Sequence, residues 1–179
     1  MQFKIIVAMC KNNGIGYNQA LPWNIREDLR HFSKTTKGNG NNAIVMGKNT
    51  WLSIGENPLP KRDHLILSKS LYLKKKDCST KTCICESDRC KFFESIEGLK
   101  SWCREKLYEE IWIIGGESIY KQFINDPDTT EMHITEIDEC FECDTYFPDI
   151  SLDDKWIKKE ERILPTTQTF DLKVCTYTR

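Results

Sequence analysis

Long apolar runs are missing from this chain. No stretch approaches the ~20 residues that a membrane-spanning helix needs. The apolar Ile5-Ile6-Val7-Ala8-Met9 is too short for a signal-peptide core and reads as a buried strand, so the expectation is a cytoplasmic protein with no membrane span. Charge of one sign is missing too. The 26 Lys+Arg and 27 Asp+Glu leave a net charge of -1, which gives no global attraction to nucleic acid or to an anionic membrane. Histidine is scarce, and His31, His64 and His133 share no metal-ligand spacing. There is no G-x-G-x-x-G, no G-x4-G-K-[ST] and no G-x-S-x-G. These absences argue against a standard dinucleotide fingerprint, a P-loop and a serine-hydrolase elbow. No internal repeat or interdomain linker breaks the 179 residues, and at roughly 150 residues per domain they make one domain, 1–179.

Cysteine, by contrast, is abundant. Nine residues form an odd count without a secretory signal, which makes a disulfide framework improbable. Cys78, Cys83, Cys85 and Cys90 crowd one stretch at spacings that match no common zinc ribbon. Reduced thiols in a surface insertion, residues 71–90, are the favoured reading over metal. Cys140 and Cys143 make a C-x2-C with no partner pair and no cation to activate a thiol.

The dominant pattern is short apolar runs alternating with helical-period segments. Strands are expected at 3–9, 43–46, 65–67, 91–94, 111–114 and 132–137. A helix is expected over 24–35, with Asn24 as N-cap and Glu27 as its capping-box partner. Others are expected near Lys48, from Ser95 to about Lys106, and after Gly115-Gly116 through Ile124. Strands that are apolar on both sides and separated by helices indicate a mostly parallel sheet covered on both faces. The tail differs: 156–164 and 170–178 leave no room for a crossover helix and read as an antiparallel hairpin.

Ligands of such sheets gather beyond the carboxyl ends of the strands. Gly47-Lys48-Asn49-Thr50, Ser68-Lys69 and Gly115-Gly116-Glu117-Ser118 all fall on that edge. One strand–glycine–helix junction is no more than a turn, but three on one edge suit a phosphorylated ligand. A second constellation follows Leu21-Pro22-Trp23. Asp28 and Phe32 share a helical face, and Leu29 and Phe32 should point inward, carrying Asp28 toward the interior. A buried carboxylate needs a partner, such as a ligand with two adjacent N–H donors; the alternative is an exposed acid that complements the helix dipole. Asn12-Asn13-Gly14-Ile15-Gly16 reads as a turn-rich loop suited to a mobile lid. Arg62 at a pocket rim would suit a carboxylate, although plain solvation fits as well.

Taken in order, Ala8, Gly14-Ile15-Gly16, Leu21-Pro22-Trp23, Asp28-Leu29, Phe32, Val45 through Trp51, Ser53-Ile54, Pro58 through Arg62, Leu67-Ser68, Ile114-Gly115-Gly116, Tyr120, Thr135 and Asp144-Thr145-Tyr146-Phe147-Pro148 resemble the dihydrofolate reductases across essentially the whole chain. The resemblance implies an α/β fold with a mixed, mostly parallel eight-stranded sheet, a C-terminal antiparallel hairpin and four flanking helices. It also implies an NADPH-dependent enzyme that reduces dihydrofolate and is blocked by diaminopyrimidine or pteridine antifolates; a monomer is expected separately, because no strand or helix shows a surplus apolar face. Asp28 then resembles the acid that anchors the pterin, with Leu21, Trp23 and Thr135 in catalytic support. Ile6, Val7, Leu29, Phe32, Ile54, Leu59, Ile114 and Tyr120 resemble the substrate walls, and Arg62 the grip on the glutamate α-carboxylate. Ala8, Ile15, Gly16, Gly47, Lys48, Asn49, Thr50, Leu67, Ser68, Lys69, Gly115, Gly116, Glu117, Ser118, Ile119 and Tyr120 resemble the cofactor contacts. Glu117 departs from the family pattern, because it puts a carboxylate where a diphosphate should lie; it either points away or weakens cofactor binding.

Two other readings compete. One is a reductase of another pterin- or pyrimidine-like ring on the same fold, against which the Asp28 and Arg62 pair argues. The other is a zinc-stabilised interaction module built on the cysteine stretch. Fusion to a thymidylate synthase in a longer protein stays open, although Arg179 ends the last strand as it would in a monofunctional enzyme.

Overall fold

The computed structural model describes residues 1–77, 89–151 and 153–179. The run Phe-Lys-Ile-Ile-Val-Ala-Met-Cys forms β1 (Phe3–Cys10) near the middle of an eight-stranded sheet. Alternation along a strand sends successive side chains to opposite faces. Phe3, Ile5 and Val7 accordingly join one core layer, and Ile6 joins the other.

The remaining elements are β2 (Gly14–Gly16), α1 (Arg26–Lys37), β3 (Asn42–Gly47), α2 (Lys48–Ser53), β4 (Arg62–Leu67), α3 (Lys69–Asp77), β5 (Cys90–Phe93), α4 (Ile96–Lys106), β6 (Ile111–Ile113), α5 (Glu117–Phe123), β7 (Thr129–Ile137), β8 (Thr145–Tyr146), β9 (Ile157–Ile163) and β10 (Leu172–Thr178). The large sheet runs β5-β4-β3-β6-β1-β7-β10-β9. Every pair from β5 to β7 is parallel, and β7, β10 and β9 are antiparallel. Burial on both faces explains why β3 is buried throughout. Leu99 and Cys103 of α4 and Ile119 and Phe123 of α5 pack on one face. Trp51 of α2 packs on the other, with Phe32 of α1 and Leu71 of α3 against it.

Several expectations are corrected. The described residues hold five helices, not four: Leu71 to Asp77 complete α3, and Cys90 opens the buried end of β5 rather than closing a loop. Cys78, Cys83 and Cys85 lie outside the described residues. The first helix begins at Arg26 with Ile25 as its cap and no side-chain cap bond, so the Asn24–Glu27 capping box does not form. Ile25 is buried, which fixes the helix entry by packing, and the Glu27 carboxylate instead accepts from the Thr167 N–H (3.2 Å) and hydroxyl (3.3 Å) in the β9–β10 connection. At α4 the expected start at Ser95 holds, and its side chain caps the helix by accepting the Gly98 N–H at 3.2 Å. The loop read as a lid contains β2, which pairs with β8 in a separate two-stranded sheet (Gly14↔Tyr146 and Gly16↔Thr145).

Candidate active site

The carboxyl ends of the parallel strands open into a cavity of about 1170 Å³. Single-ligand sites run to roughly 300–1,000 Å³, so this one has room for two ligands side by side. All the site residues anticipated from sequence line it except Trp23 and Gly115.

One half is built around α1. Asp28, in its first turn, is buried at 6 % exposure, and it accepts a hydrogen bond from the Thr135 hydroxyl of β7. Burial pushes its carboxyl up to about 6, against which the Thr135 bond works. No cation lies within ion-pair distance of it among the described residues. Ile6, Val7, Phe32, Ile54, Leu59 and Ile114 give the surrounding wall its apolar character. Tyr120 closes the floor, donating its hydroxyl to the Ile6 carbonyl at 2.9 Å. Leu29 was expected to point inward; it is 45 % exposed and lines the mouth instead.

Arg62 is the second departure. It is not a rim residue but a buried one, 2 % exposed. Its Nη1 donates to the Thr36 hydroxyl at 2.7 Å and its Nε to the Pro60 carbonyl at 3.1 Å, while the guanidinium lies 5.9 Å from the centre of the Phe32 ring. Thr36 in turn donates to the Phe32 carbonyl at 2.8 Å, so its hydroxyl is fixed as the acceptor for Arg62. Two of five guanidinium donors are thus used within the protein. Among the described residues no carboxylate pairs with Arg62. Burial also lowers its affinity for its proton, so an anionic partner is what this position lacks.

The other half joins the starts of α2, α3, α4 and α5. Lys48, Asn49, Thr50, Ser68 and Lys69 line it with Gly47, Leu67, Gly116, Glu117, Ser118 and Ile119, and Ala8, Ile15 and Gly16 line the part beside β1 and β2. Here the backbones are held close. The Gly115–Gly116 peptide is cis, and the Gly115 carbonyl accepts from the Gly47 N–H at 2.8 Å. Gly115 has φ near 101°, and a Cβ there would stand 2.6 Å from the Tyr120 ring, so only glycine fits. Neither Lys48 nor Lys69 forms an ion pair among the described residues, and with the adjacent hydroxyls and backbone amides they make a donor-rich wall suited to phosphate groups. Glu117 turns aside from it: its carboxylate pairs with Lys121 and accepts the Tyr146 N–H at 3.1 Å.

Trp23 sits behind the cavity, not in its lining. It is buried against Phe141 (5.4 Å between ring centres), and its Nε1 has no hydrogen-bond partner among the described residues. The histidines stay out of the cavity lining. His64 accepts the Leu59 N–H at 2.8 Å and so steadies the segment that carries Leu59. Among the described residues no three acidic, histidine or cysteine side chains are grouped to hold a metal ion. Cys10 and Cys143 approach to 3.8 Å between sulfurs, a proximity that the C-x2-C spacing did not signal.

The sequence reading passed over several lining residues. Ser33 falls four residues after Leu29, so the helical spacing already implied it. Asn18 and Gln19 line the lid side in left-handed conformations (φ 48° and 61°). Glu94, Ser95 and Ile96, with Lys121, Gln122, Asp144 and Thr145, complete the cofactor-side rim. Asp144 holds β2 down, accepting the Asn18 N–H at 2.9 Å and donating its own N–H to the Gly16 carbonyl at 2.9 Å.

A family model described as dihydrofolate reductase matches residues 2–179. The dihydrofolate reductase of Aedes albopictus is 33% identical over 168 residues, which cover 90% of this chain and 87% of that one. That of Staphylococcus haemolyticus is 33% identical over 180 residues, covering 100% and 96%. The solved dihydrofolate reductase of Enterococcus faecalis, complexed with NADP(H) and RAB-propyl, superposes with a TM-score of 0.77 at 26% identity over 99% of this chain and 96% of that one.

Proposed function

The chain belongs to the dihydrofolate reductase family and is an NADPH-dependent oxidoreductase that reduces dihydrofolate to tetrahydrofolate, and from that premise we propose how its own residues divide the work. The observation that carries the assignment is the pair of buried, oppositely charged groups in one cavity, Asp28 and Arg62, each without an ionic partner among the described residues.

Asp28 takes the two adjacent N–H donors of the pterin edge, and Thr135 fixes the direction of its carboxylate. Arg62, preset by Thr36 and Pro60, grips the glutamate α-carboxylate of the substrate with its remaining donors. The distance between these two anchors sets the substrate in one register, with Phe32, Ile54 and Leu59 packed along its length. Lys48, Lys69, Ser68 and Thr50 hold the cofactor phosphates, and Gly116 lets the backbone approach them. Ala8, Ile15 and Gly16 line the place of the nicotinamide. Bound there, NADPH would supply the hydride that reduces the pterin. Asp28 orients the ring and favours protonation at N5, with water delivering the proton. Leu21 at the mouth, 49 % exposed, screens that side, and Trp23 braces the segment behind it.

Diaminopyrimidine and pteridine antifolates would occupy the Asp28 half by the same donor pairing. A monomer is proposed: the most exposed apolar side chains are scattered, Leu107 at the end of α4 and Ile157 and Ile163 at the two ends of β9. A cytoplasmic setting goes with the buried thiols of Cys103 and Cys175. The test is loss of NADPH absorbance on adding dihydrofolate to the pure protein. Rapid oxidation that a diaminopyrimidine antifolate blocks is expected; no oxidation with intact cofactor binding would refute the assignment of the substrate half.

A further inference from the structure

Glu117 is the acid at the start of α5 on the wall where Lys48 and Lys69 stand, with Glu94 and Asp144 on the rim around it, and its surroundings give it a second attachment. One carboxylate oxygen pairs with Lys121 a helical turn further along α5. The other accepts the N–H of Tyr146. Tyr146 belongs to β8, whose opposite edge holds the lid strand β2: the Phe147 N–H donates to the Asn13 carbonyl at 2.8 Å and the Asp144 N–H to the Gly16 carbonyl at 2.9 Å. Glu117 is therefore the joint between α5 and the small sheet that carries Ile15 and Gly16 into the cavity. Lys121 and the Tyr146 N–H both favour its ionised form and hold it below the ordinary carboxylate range, so the charge is present at neutral pH.

A cofactor that brings phosphates to Lys48, Lys69 and Ser118 brings them beside this carboxylate. Like charges across a half-open cleft repel weakly but measurably, and salt screens the effect. We propose that Glu117 is a specificity and residence residue, a charge brake on the phosphorylated cofactor: it lowers cofactor affinity and speeds cofactor exchange, while its bond to Tyr146 keeps the lid sheet docked on α5 and Lys121 shields it. The proposal rests on the reading of this wall as the NADPH site.

The two duties separate by substitution. Glu117→Gln keeps an oxygen to accept the Tyr146 N–H and removes the charge. The experiment measures NADPH affinity by calorimetry and its dissociation rate by stopped-flow fluorescence, at low and high salt, for the unaltered protein, Glu117→Gln, Lys121→Gln and the double variant. Glu117→Gln should bind NADPH about 3- to 10-fold more tightly, mainly through slower dissociation, and the gain should shrink as salt rises. Lys121→Gln should weaken binding, and by less when Glu117 is already glutamine. Unchanged or weaker binding by Glu117→Gln, a gain indifferent to salt, or an equal Lys121→Gln effect in both backgrounds would overturn the brake alone. An unaltered protein that does not bind NADPH would overturn the cofactor wall, and the brake with it.

Discussion

The two halves of the cleft handle charge in opposite ways. On the α1 side the charges are few, buried and fixed: Asp28 at 6 % exposure and Arg62 at 2 %, each oriented by a threonine hydroxyl and neither paired with an opposite charge among the described residues. On the other side Lys48 and Lys69 stand on a wall of backbone and hydroxyl donors, and Glu117 among them is already engaged elsewhere. Burying an unpaired charge costs several kcal/mol, a cost that a ligand with matching groups offsets on binding. Exposed charges cost little and contribute little singly. The first half is therefore built to discriminate, and the second to gather a polyanion by number.

The largest expected effect tests the discriminating half. Asp28→Asn should cut hydride transfer at neutral pH by about 10²- to 10³-fold and recover part of it in acid, where the substrate can arrive already protonated. A pH profile that overlays that of the unaltered enzyme would remove Asp28 from its role.

The same substitution should make the fold more stable. In the unfolded chain this carboxyl titrates near 3.8, and in the folded protein near 6. Between those values the folded state holds more protons, so stability falls as pH rises through this window. Above it the cost of the buried charge is complete, up to ~3 kcal/mol at 1.36 kcal/mol per pH unit. Thermal melts should show Asp28→Asn more stable at pH 7 to 8 and indistinguishable below pH 4. A variant less stable at neutral pH would mean that the burial cost is already compensated.

Next in size, Arg62→Gln should raise KM for dihydrofolate by about 10- to 100-fold with kcat little changed, the pattern of lost uniform binding. Thr36→Val should do the same by a few-fold, because it frees the guanidinium without removing it. A fall in kcat with KM unchanged would place Arg62 elsewhere in the reaction. Smallest of all, Lys48→Gln or Lys69→Gln should weaken NADPH binding by about 2- to 5-fold at low salt and less at high salt. A loss as large and as salt-resistant as that from Arg62 would erase the contrast between the halves.

Much of this arrangement was legible in the sequence, for local reasons. The apolar runs ending at Gly47 and Ile114 and the Ser95 cap announce strand-to-helix handovers within a few residues. The helical spacing of Asp28 and Phe32 places both on the cavity face. What stayed hidden depends on distant partners. The burial of Arg62 is made by Thr36, Phe32 and Pro60, and nothing beside Arg62 in the chain predicts the first two. Helix α1 starts later than its capping signal because Ile25 packs into the core and Glu27 finds Thr167. Strands β2 and β8, of three and two residues, are too short to carry a periodicity, and they exist through pairing with each other. The exposure of Leu29 shows the limit of the face argument, since a helix face that lines a cleft is apolar without being covered.

The most direct test of a buried, unpaired acid awaiting its ligand is to titrate the Asp28 carboxyl itself, by carbon-13 NMR of the ligand-free protein and of its complex with a 2,4-diaminopyrimidine. A midpoint near 6 in the free protein, falling well below that when the two donors of the ligand pair with the carboxylate, is the predicted result. A free-protein midpoint at the ordinary value near 3.8, or one that the ligand leaves unmoved, would contradict it.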